Sequence, residues 1–142
     1  HALAVLRQWD DQRAAAYAAG NLAALKSLYE PGSPAGRRDL TVLRTYRERG
    51  LRVEQMETQV LELRVLSATD DRLELVVTDR LSRAIAVGEA GSWRLPRDAA
   101  SSQRVVFVRR EGEWVVTRVT ALDAQSRRAD SSTSVTVGSR NS

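Results

Sequence analysis

The chain has 142 residues and a formal net charge of +4, with no cysteine and a single histidine, His1. This length suits one domain with its own hydrophobic core. The composition excludes disulfides, thiolate metal sites and histidine-based zinc sites, as well as Ser-His-Asp and Cys-His catalysis, and we expect neither a metal nor a cofactor.

The charged residues are mostly arginine and the two signs are interspersed along the chain, with Lys26 as the only lysine. Proteins that bind nucleic acid cluster their basic residues on one face, so we expect no nucleic-acid partner. Residues 37–52 are the exception, because arginines outnumber acids there. Two interpretations stay open for this segment: a solvated helix face, or a weak contact with an anionic membrane surface through Arg37, Arg38, Arg44 and Arg49.

Helical patterning begins at the first residues of the chain. Residues 2–19 are rich in alanine and leucine and contain no proline or glycine, which predicts the first helix. Gly20 ends this helix, and Asn21 is the predicted N-cap of a second helix over residues 22–30, because its side chain can accept a hydrogen bond from a free backbone N–H.

The segment 31–36 reads PGSPAG, and this clustering of proline, glycine and serine predicts a loop. Asp39 is the next residue suited to an N-cap, so a third helix is predicted from there to Arg49. Gly50 follows as the residue that can adopt a left-handed conformation after a helix end.

From residue 51 the apolar pattern changes to a period of two, which is typical of strands. Two pairs of turn residues, Asp70-Asp71 and Glu111-Gly112, divide this part of the chain. A turn accounts for the paired aspartates more simply than a carboxylate metal site. The predicted strands cover residues 51–67, 73–87, 103–110 and 113–122.

The first of these strands changes its apolar register along its length. Met56 and Val60 share one face by alternation, whereas the next apolar residues, Leu61, Leu63 and Val65, share the other. A slip of one residue in a long strand indicates a β-bulge.

The strand over residues 73–87 carries the most informative pattern. Six of its eight odd positions are apolar, so the odd face is predicted to be buried, while Val76 and Thr78 belong to a face that meets water. Asp79 and Arg83 interrupt the buried face. Because an unpaired buried charge is costly, we expect them to pair with each other or with a neighbour, or to line a cavity.

Residues 88–102 form a long connection without a strand pattern, and two interpretations stay open: a lid over a pocket, or a plain connection with Trp93 on the surface. Trp9, Trp93 and Trp114 lie on separate predicted elements, which favours packing roles over a stacking platform.

Residues 123–142 are rich in serine, threonine and arginine and are expected to be an extended or mobile tail, in which residues 134–138 could add a short edge strand.

Two stretches carry a resemblance to a known superfamily: LRQWDDQRAAAYAAGNLAALKSLY near the start and the hairpin VVFVRREGEWVVTRV. Over residues 3–122 the chain resembles nuclear transport factor 2-like proteins, which include ketosteroid isomerases, scytalone dehydratase and polyketide cyclases. The phrases LYEPGSPAGRRDLTVLRTYRERGLRV and SWRLPRDAAS are similar to those of uncharacterised actinobacterial domains that follow a membrane-spanning segment.

The resemblance implies an α+β fold with three N-terminal helices packed on a curved four-stranded antiparallel sheet, a cystatin-like cone over residues 1–122. It also implies a domain outside the cytoplasm, anchored by an upstream segment, which agrees with a chain that begins with His1 rather than methionine; otherwise the domain is cytoplasmic. Related cones often dimerise through the outer sheet face, which here carries Val76 and Thr78.

We therefore expect a non-catalytic binding or interaction module whose cone pocket takes a small apolar or amphipathic ligand. The candidate ligand-binding residues are Asp79, Arg83, Tyr17, Trp9 and Trp93. The alternative is an isomerase, dehydratase or cyclase with Asp79 as the base. A nearby Arg83 would lower the pKa of Asp79 and make it a poorer proton acceptor, which weakens the alternative.

Overall fold

The structure, a computed structural model, describes residues 1–122 of the chain. Within these residues three helices pack on one face of a five-stranded antiparallel sheet, which confirms the predicted α+β class. The predicted tail, including a strand at 134–138, lies outside the described residues. The elements are α1 Ala2–Ala19, α2 Leu22–Lys26, α3 Pro34–Glu48, β1 Arg52–Ala68, β2 Arg72–Gly88, β3 Gly91–Arg94, β4 Ser101–Arg110 and β5 Glu113–Leu122.

The first two helices meet at the predicted corner. Gly20 has a φ of 63°, and the Asn21 side chain accepts a hydrogen bond from the Ala24 N–H at 3.0 Å. The second helix is shorter than predicted, because the chain leaves it after Lys26 to run beside β5. There the Val116 N–H donates to the Leu28 carbonyl and the Glu30 N–H donates to the Val116 carbonyl.

The third helix begins five residues earlier than predicted. Ser33 is its N-cap and accepts a hydrogen bond from the Gly36 N–H at 3.1 Å, and Pro34 occupies the first turn. Serine followed by proline is a strong helix-start signal, because the proline φ is already helical and its missing N–H is not needed there. Asp39, the predicted N-cap, instead lies in the helix interior and is buried.

The sheet has the strand order β1-β2-β4-β5, and β3 pairs with the end of β2. This fifth strand lies within residues 88–102, where no strand was predicted. After β3 the chain continues along β2, with hydrogen bonds from the Leu95 N–H to the Ala84 carbonyl and from the Asp98 N–H to the Leu81 carbonyl. The predicted hairpin turn at Glu111-Gly112 is confirmed, and both residues have positive φ.

Bulges in β1 and β2 decide which side chains face the helices. The predicted bulge in β1 is confirmed, because Val60 pairs with Asp79 while Glu62 pairs with Thr78, leaving Leu61 as an extra residue. Another bulge, in β2, was not predicted. Leu81 pairs with Thr58 and Arg83 with Glu57, so the extra residue is Ser82.

The β2 bulge shifts the alternation by one residue from that point on. Ala84 and Ala86 are therefore buried, whereas Arg83 is exposed. The prediction that Arg83 faces inward is wrong for this reason. Earlier in the strand the odd positions Leu73, Leu75 and Val77 lie in the core as predicted.

The core lies between the helices and the sheet, and its fully buried side chains include Leu25, Leu43, Leu73, Leu75, Val77 and Phe107. On the other face of the sheet Val76 and Thr78, which were predicted to meet water, are also buried. No helix in residues 1–122 has the length and apolar character needed to span a membrane.

Candidate functional site

A cavity of about 370 Å³, partly open to solvent, lies between the helices and the sheet. Val42 of α3 and Asp98, which follows β3, line the cavity and are also exposed, so they mark its mouth. Most of the wall is apolar or aromatic: Leu6, Trp9, Tyr17, Tyr29, Val42, Tyr46, Val53, Met56, Val77, Leu81, Ala84, Leu95, Val105, Phe107, Val116 and Val119. The polar lining consists of Asp10, Arg13, Thr58, Asp79, Asp98 and Gln103.

One wall is held by the buried carboxylate of Asp39. Arg13 of α1 donates to both of its oxygens, from Nε to Oδ2 at 2.6 Å and from Nη2 to Oδ1 at 2.8 Å. The hydroxyl of Tyr17 donates to Oδ1, and that of Tyr29 donates to Oδ2 at 2.7 Å. These four hydrogen bonds use the acceptor capacity of the carboxylate. They join α1 and α3 to the segment that follows α2, which contains Tyr29.

The pKa values of this group follow from its contacts. Burial alone would raise the pKa of Asp39, but the hydrogen bonds and charge of Arg13, helped by the two tyrosines, lower it below its ordinary value. Burial and the charge of Asp39 raise the pKa of Tyr17 and of Tyr29. Both phenols therefore stay protonated and act as donors, so this network is a structural support of the cavity wall.

Asp79 lies at the polar end of the cavity, on β2. Its carboxylate accepts from the side-chain amide of Gln103 on β4, at 3.2 Å to each oxygen. Burial raises the pKa of Asp79 and the charge of Asp98 adds to this effect, while Gln103 and Arg13 oppose it. The predicted partner Arg83 is exposed and does not line the cavity, so the Asp79–Arg83 pair is a wrong prediction and Gln103 holds Asp79 instead.

Asp10 of α1 also lines the cavity and was not among the predicted ligand-binding residues. Burial, the charge of Asp79 and that of Asp11 raise the pKa of Asp10 to about 7, against the opposing charge of Arg13. Within residues 1–122 its carboxyl has no hydrogen-bond or ion-pair partner. The sequence did contain a signal, since Asp10, Arg13 and Tyr17 are spaced i, i+3 and i+7 and so share one helix face.

The three tryptophans occupy different environments. Trp9 lines the cavity, donates from Nε1 to the Leu28 carbonyl at 2.9 Å, and contacts Phe107 edge-to-face. Trp93 on β3 is 45% exposed and lies outside the lining, contrary to its prediction as a ligand-binding residue. Trp114 lies beside Arg109, away from the cavity.

Of the predicted site residues, the structure thus brings Asp79, Tyr17 and Trp9 to one cavity and leaves Arg83 and Trp93 outside it. Leu95 and Asp98 of the segment considered as a lid line the cavity. Among residues 1–122 no cluster of three or more acidic or histidine side chains is placed to hold a metal ion.

Two predicted contacts of the surface are not tested by the structure. Arg37, Arg38, Arg44 and Arg49 are exposed along and just after α3, so the anionic-membrane contact stays a prediction. Val76 and Thr78 are buried within the single chain, and Thr78 Oγ1 lies 2.7 Å from Ser102 Oγ. A homodimer through the sheet, which also stays a prediction, would have to use other side chains.

Comparisons with known proteins support the fold alone. No protein-family model matches the chain, and no curated protein sequence matches it. Among solved structures, the chain is similar to the intermembrane space region of the chloroplast protein ARC6, with a TM-score of 0.56 and 14% identity over 87% of this chain and 95% of that one.

Two Streptomyces proteins are also similar in structure. Aln2 from a Streptomyces species has a TM-score of 0.57 and 11% identity over 87% of this chain and 90% of that one. A proposed dehydratase of the nuclear transport factor 2-like family from Streptomyces avermitilis has a TM-score of 0.50 and 15% identity over 84% and 94%. The chain thus has the nuclear transport factor 2-like, or cystatin-like, fold that its sequence predicted.

Proposed function

We propose that the protein is a non-catalytic module that binds a small amphipathic ligand in the cavity between its helices and its sheet. The observation that carries the proposal is the polar end of a largely apolar cavity, where Asp10 and Asp79 keep unused hydrogen-bonding capacity. A volume of about 370 Å³ lies at the lower end of the range for small-molecule sites.

The alternative to a binding role is that these carboxylates only support the fold, and their contacts argue against it. A carboxylate can accept about four hydrogen bonds. Asp79 accepts two long ones from a single amide, and Asp10 accepts none within residues 1–122. Buried polar groups that support a fold are normally satisfied, as Asp39 is, so partly satisfied carboxylates facing a cavity favour a ligand.

The proposal is tested by filling the cavity. A fluorinated fragment library, followed by ¹⁹F NMR, is expected to give hits that compete with one another on the wild-type protein and are lost in Ala84→Phe and Leu81→Trp, two independent variants that place a ring in the cavity. Ala68→Phe, at the exposed end of β1, is the matched control and keeps the hits. The proposal fails if the library gives no hits, or if they persist in both folded cavity variants.

A second candidate function is proton transfer, as in an isomerase, dehydratase or cyclase, with Asp79 as the base. It is favoured by one observation: burial raises the pKa of Asp79 even though the Gln103 amide and the charge of Arg13 oppose the shift, and a raised pKa makes a carboxylate a better proton acceptor. Tyr17 and Tyr29 are committed to Asp39, so Asp10 in its protonated form would be the donor to a developing oxyanion.

This candidate is tested with Asp79→Asn, which keeps the shape of the side chain and removes the base. For any compound that the wild-type protein converts, we expect turnover to fall by at least about 100-fold while binding persists. Unchanged turnover would exclude Asp79 as the base.

We also propose that the domain works outside the cytoplasm, anchored by an upstream segment. The proposal is supported by the sequence resemblance to domains that follow a membrane-spanning segment. A reporter that is active only outside the cytoplasm, fused after residue 142 of the full-length protein, is expected to be active, and inactivity of an expressed fusion contradicts the proposal.

A further inference from the structure

The charge of the cavity differs in sign from that of the protein as a whole. The chain carries a formal net charge of +4, yet the lining contains three carboxylates, Asp10, Asp79 and Asp98, and one cation, Arg13. Arg13 is already paired through two hydrogen bonds with Asp39, which is not among the lining residues. Among the described residues that line the cavity, no further cation is therefore left to pair with these three carboxylates.

The three carboxylates follow one another from the mouth of the cavity inward. Asp98 is exposed at the mouth, and its charge acts on Asp79; the charge of Asp79 acts in turn on Asp10. The three side chains thus form an acidic edge from the mouth to α1. A neutral ligand would leave their mutual repulsion in place, whereas a cation would relieve it.

The remaining wall suits the body of an organic cation. Met56, Leu81 and Val119 supply apolar surface, and the rings of Trp9 and Tyr46 also line the cavity. Aromatic rings stabilise an ammonium group that lies over their faces, and apolar walls bury the carbon skeleton attached to it. A hydrated metal ion would gain nothing from this surface.

Building on the proposed function, we propose that the ligand is a small amphipathic amine, bound as its ammonium ion. The ammonium donates hydrogen bonds to Asp79 and Asp10, and the carbon skeleton lies along the apolar wall. Asp98 at the mouth attracts the cation. Gln103 keeps the Asp79 carboxylate turned toward the cavity.

Binding of a cation is coupled to the protonation of Asp10. The groups that act on Asp10 are Asp79 and Asp11, which favour its protonated form, and Arg13, which favours its ionised form. An ammonium ion favours the ionised form as well, so binding releases a proton. Affinity for the amine is therefore expected to rise as the pH increases through about 7, where Asp10 ionises.

The experiment compares two probes of the same shape, 2-phenylethylamine and 2-phenylethanol, by isothermal titration calorimetry. The ammonium, like that of lysine, stays protonated between pH 6 and pH 8. At pH 8 we expect the amine to bind at least about tenfold more tightly than the alcohol, as for a hydrogen-bonded charge pair. The preference is expected to shrink at pH 6, while the affinity for the alcohol stays constant.

The variants Asp10→Asn and Asp79→Asn are expected to reduce the preference for the amine and leave binding of the alcohol in place. Asp71→Asn changes the net charge equally but lies in the exposed turn between β1 and β2, and it is expected to keep the preference. Thermal unfolding verifies that each variant is folded, and the wild-type comparison of the two probes does not depend on any variant.

The outcomes separate this inference from the proposed function. Equal affinity for the two probes overturns the inference and leaves a binding function for neutral ligands. If neither probe binds, but fragment hits lost in Ala84→Phe and Leu81→Trp are all neutral or anionic, the inference is overturned as well. Absence of any cavity-dependent hit overturns the proposed function and the inference together.

Discussion

Asp39 and Asp79 are both largely buried, and both lie within the electrostatic reach of Arg13, yet their pKa values move in opposite directions. Asp39 receives hydrogen bonds from Arg13, Tyr17 and Tyr29, which outweigh the cost of burial. Within residues 1–122, Asp79 receives them only from Gln103, and Asp10, whose pKa also rises, has no such partner. The number and charge of the donors, rather than burial, separate a structural carboxylate from one left available to a ligand.

The largest change in stability is expected when the fully hydrogen-bonded carboxylate, Asp39, is removed. Asp39→Ala leaves the Arg13 guanidinium without its partner, and loss of one member of a buried pair costs about 3–5 kcal/mol. Because the Arg13 side chain is 27% exposed, we expect a loss near the lower end, about 3 kcal/mol, by urea unfolding at pH 7. Asp71→Ala in the exposed turn is the control, and a loss below about 1 kcal/mol for Asp39→Ala would contradict the structural role.

Removing the carboxylate of Asp10, which has no hydrogen-bond donor within residues 1–122, is expected to raise the stability instead. Asp10 has a pKa of about 7 in the folded state against an ordinary value of 3.8, so between these pH values the folded protein binds a proton that the unfolded chain does not. Its contribution to stability therefore falls as the pH rises from about 4 to about 7. Asp10→Asn removes this loss, and we expect a gain of roughly 2 kcal/mol at pH 8, after allowance for partial exposure, and little change at pH 4.

The measurement for Asp10→Asn is urea unfolding at both pH values, with Asp71→Asn in the exposed turn between β1 and β2 as the charge-matched control. An equal change at pH 4 and pH 8 would show that the effect does not come from ionisation of Asp10.

A smaller loss of stability is expected when the hydrogen bonds from Gln103 to Asp79 are removed. This change sharpens the contrast between Asp79 and Asp39, because Asp79 then has fewer donors. Gln103→Leu removes the only donor to Asp79 among residues 1–122, so the pKa of Asp79 is expected to rise further, as followed by carboxyl ¹³C NMR. Stability at pH 8 is expected to fall by about 1 kcal/mol, since the ionised carboxylate loses its partner. Gln59→Leu, on the exposed side of β1, is the control and should leave the pKa of Asp79 unchanged.

The smallest effect is expected at Arg83. Since the side chain is exposed and does not line the cavity, Arg83→Ala should change stability by less than about 0.5 kcal/mol and leave the titration of Asp79 unaltered. A drop of more than about 1 kcal/mol, roughly what the loss of a hydrogen-bonded partner costs, together with a higher pKa of Asp79, would restore the pair that the sequence predicted.

Features that depend on one element alone could be predicted from the sequence. Strict alternation placed Asp79 on the inward face of β2, and the change of apolar register placed a bulge near Leu61. Arg83 could not be placed in this way, because the bulge at Ser82 arises from how β2 pairs with β1, and a single strand carries no sign of it.

The structural role of Asp39 was out of reach for a similar reason. The residue suits an N-cap in isolation, and only the packing of α1 and of the segment after α2 supplies its three partners. The start of α3 at Ser33-Pro34, by contrast, could have been predicted, since both residues belong to a familiar helix-start signal. Asp10 could have been found as well, from its spacing to Arg13 and Tyr17.

The segment that follows α2 has a consequence for association between molecules. Among residues 1–122, β5 is the last strand in the order of the sheet, and a strand in this position can pair with a strand of another chain through its free backbone groups. At Val116 both of those groups are already taken, by the Leu28 carbonyl and the Glu30 N–H. The chain thus occupies this edge at Val116 with its own backbone, so a change that lengthened α2 through Tyr29 would free these groups and favour strand-to-strand aggregation.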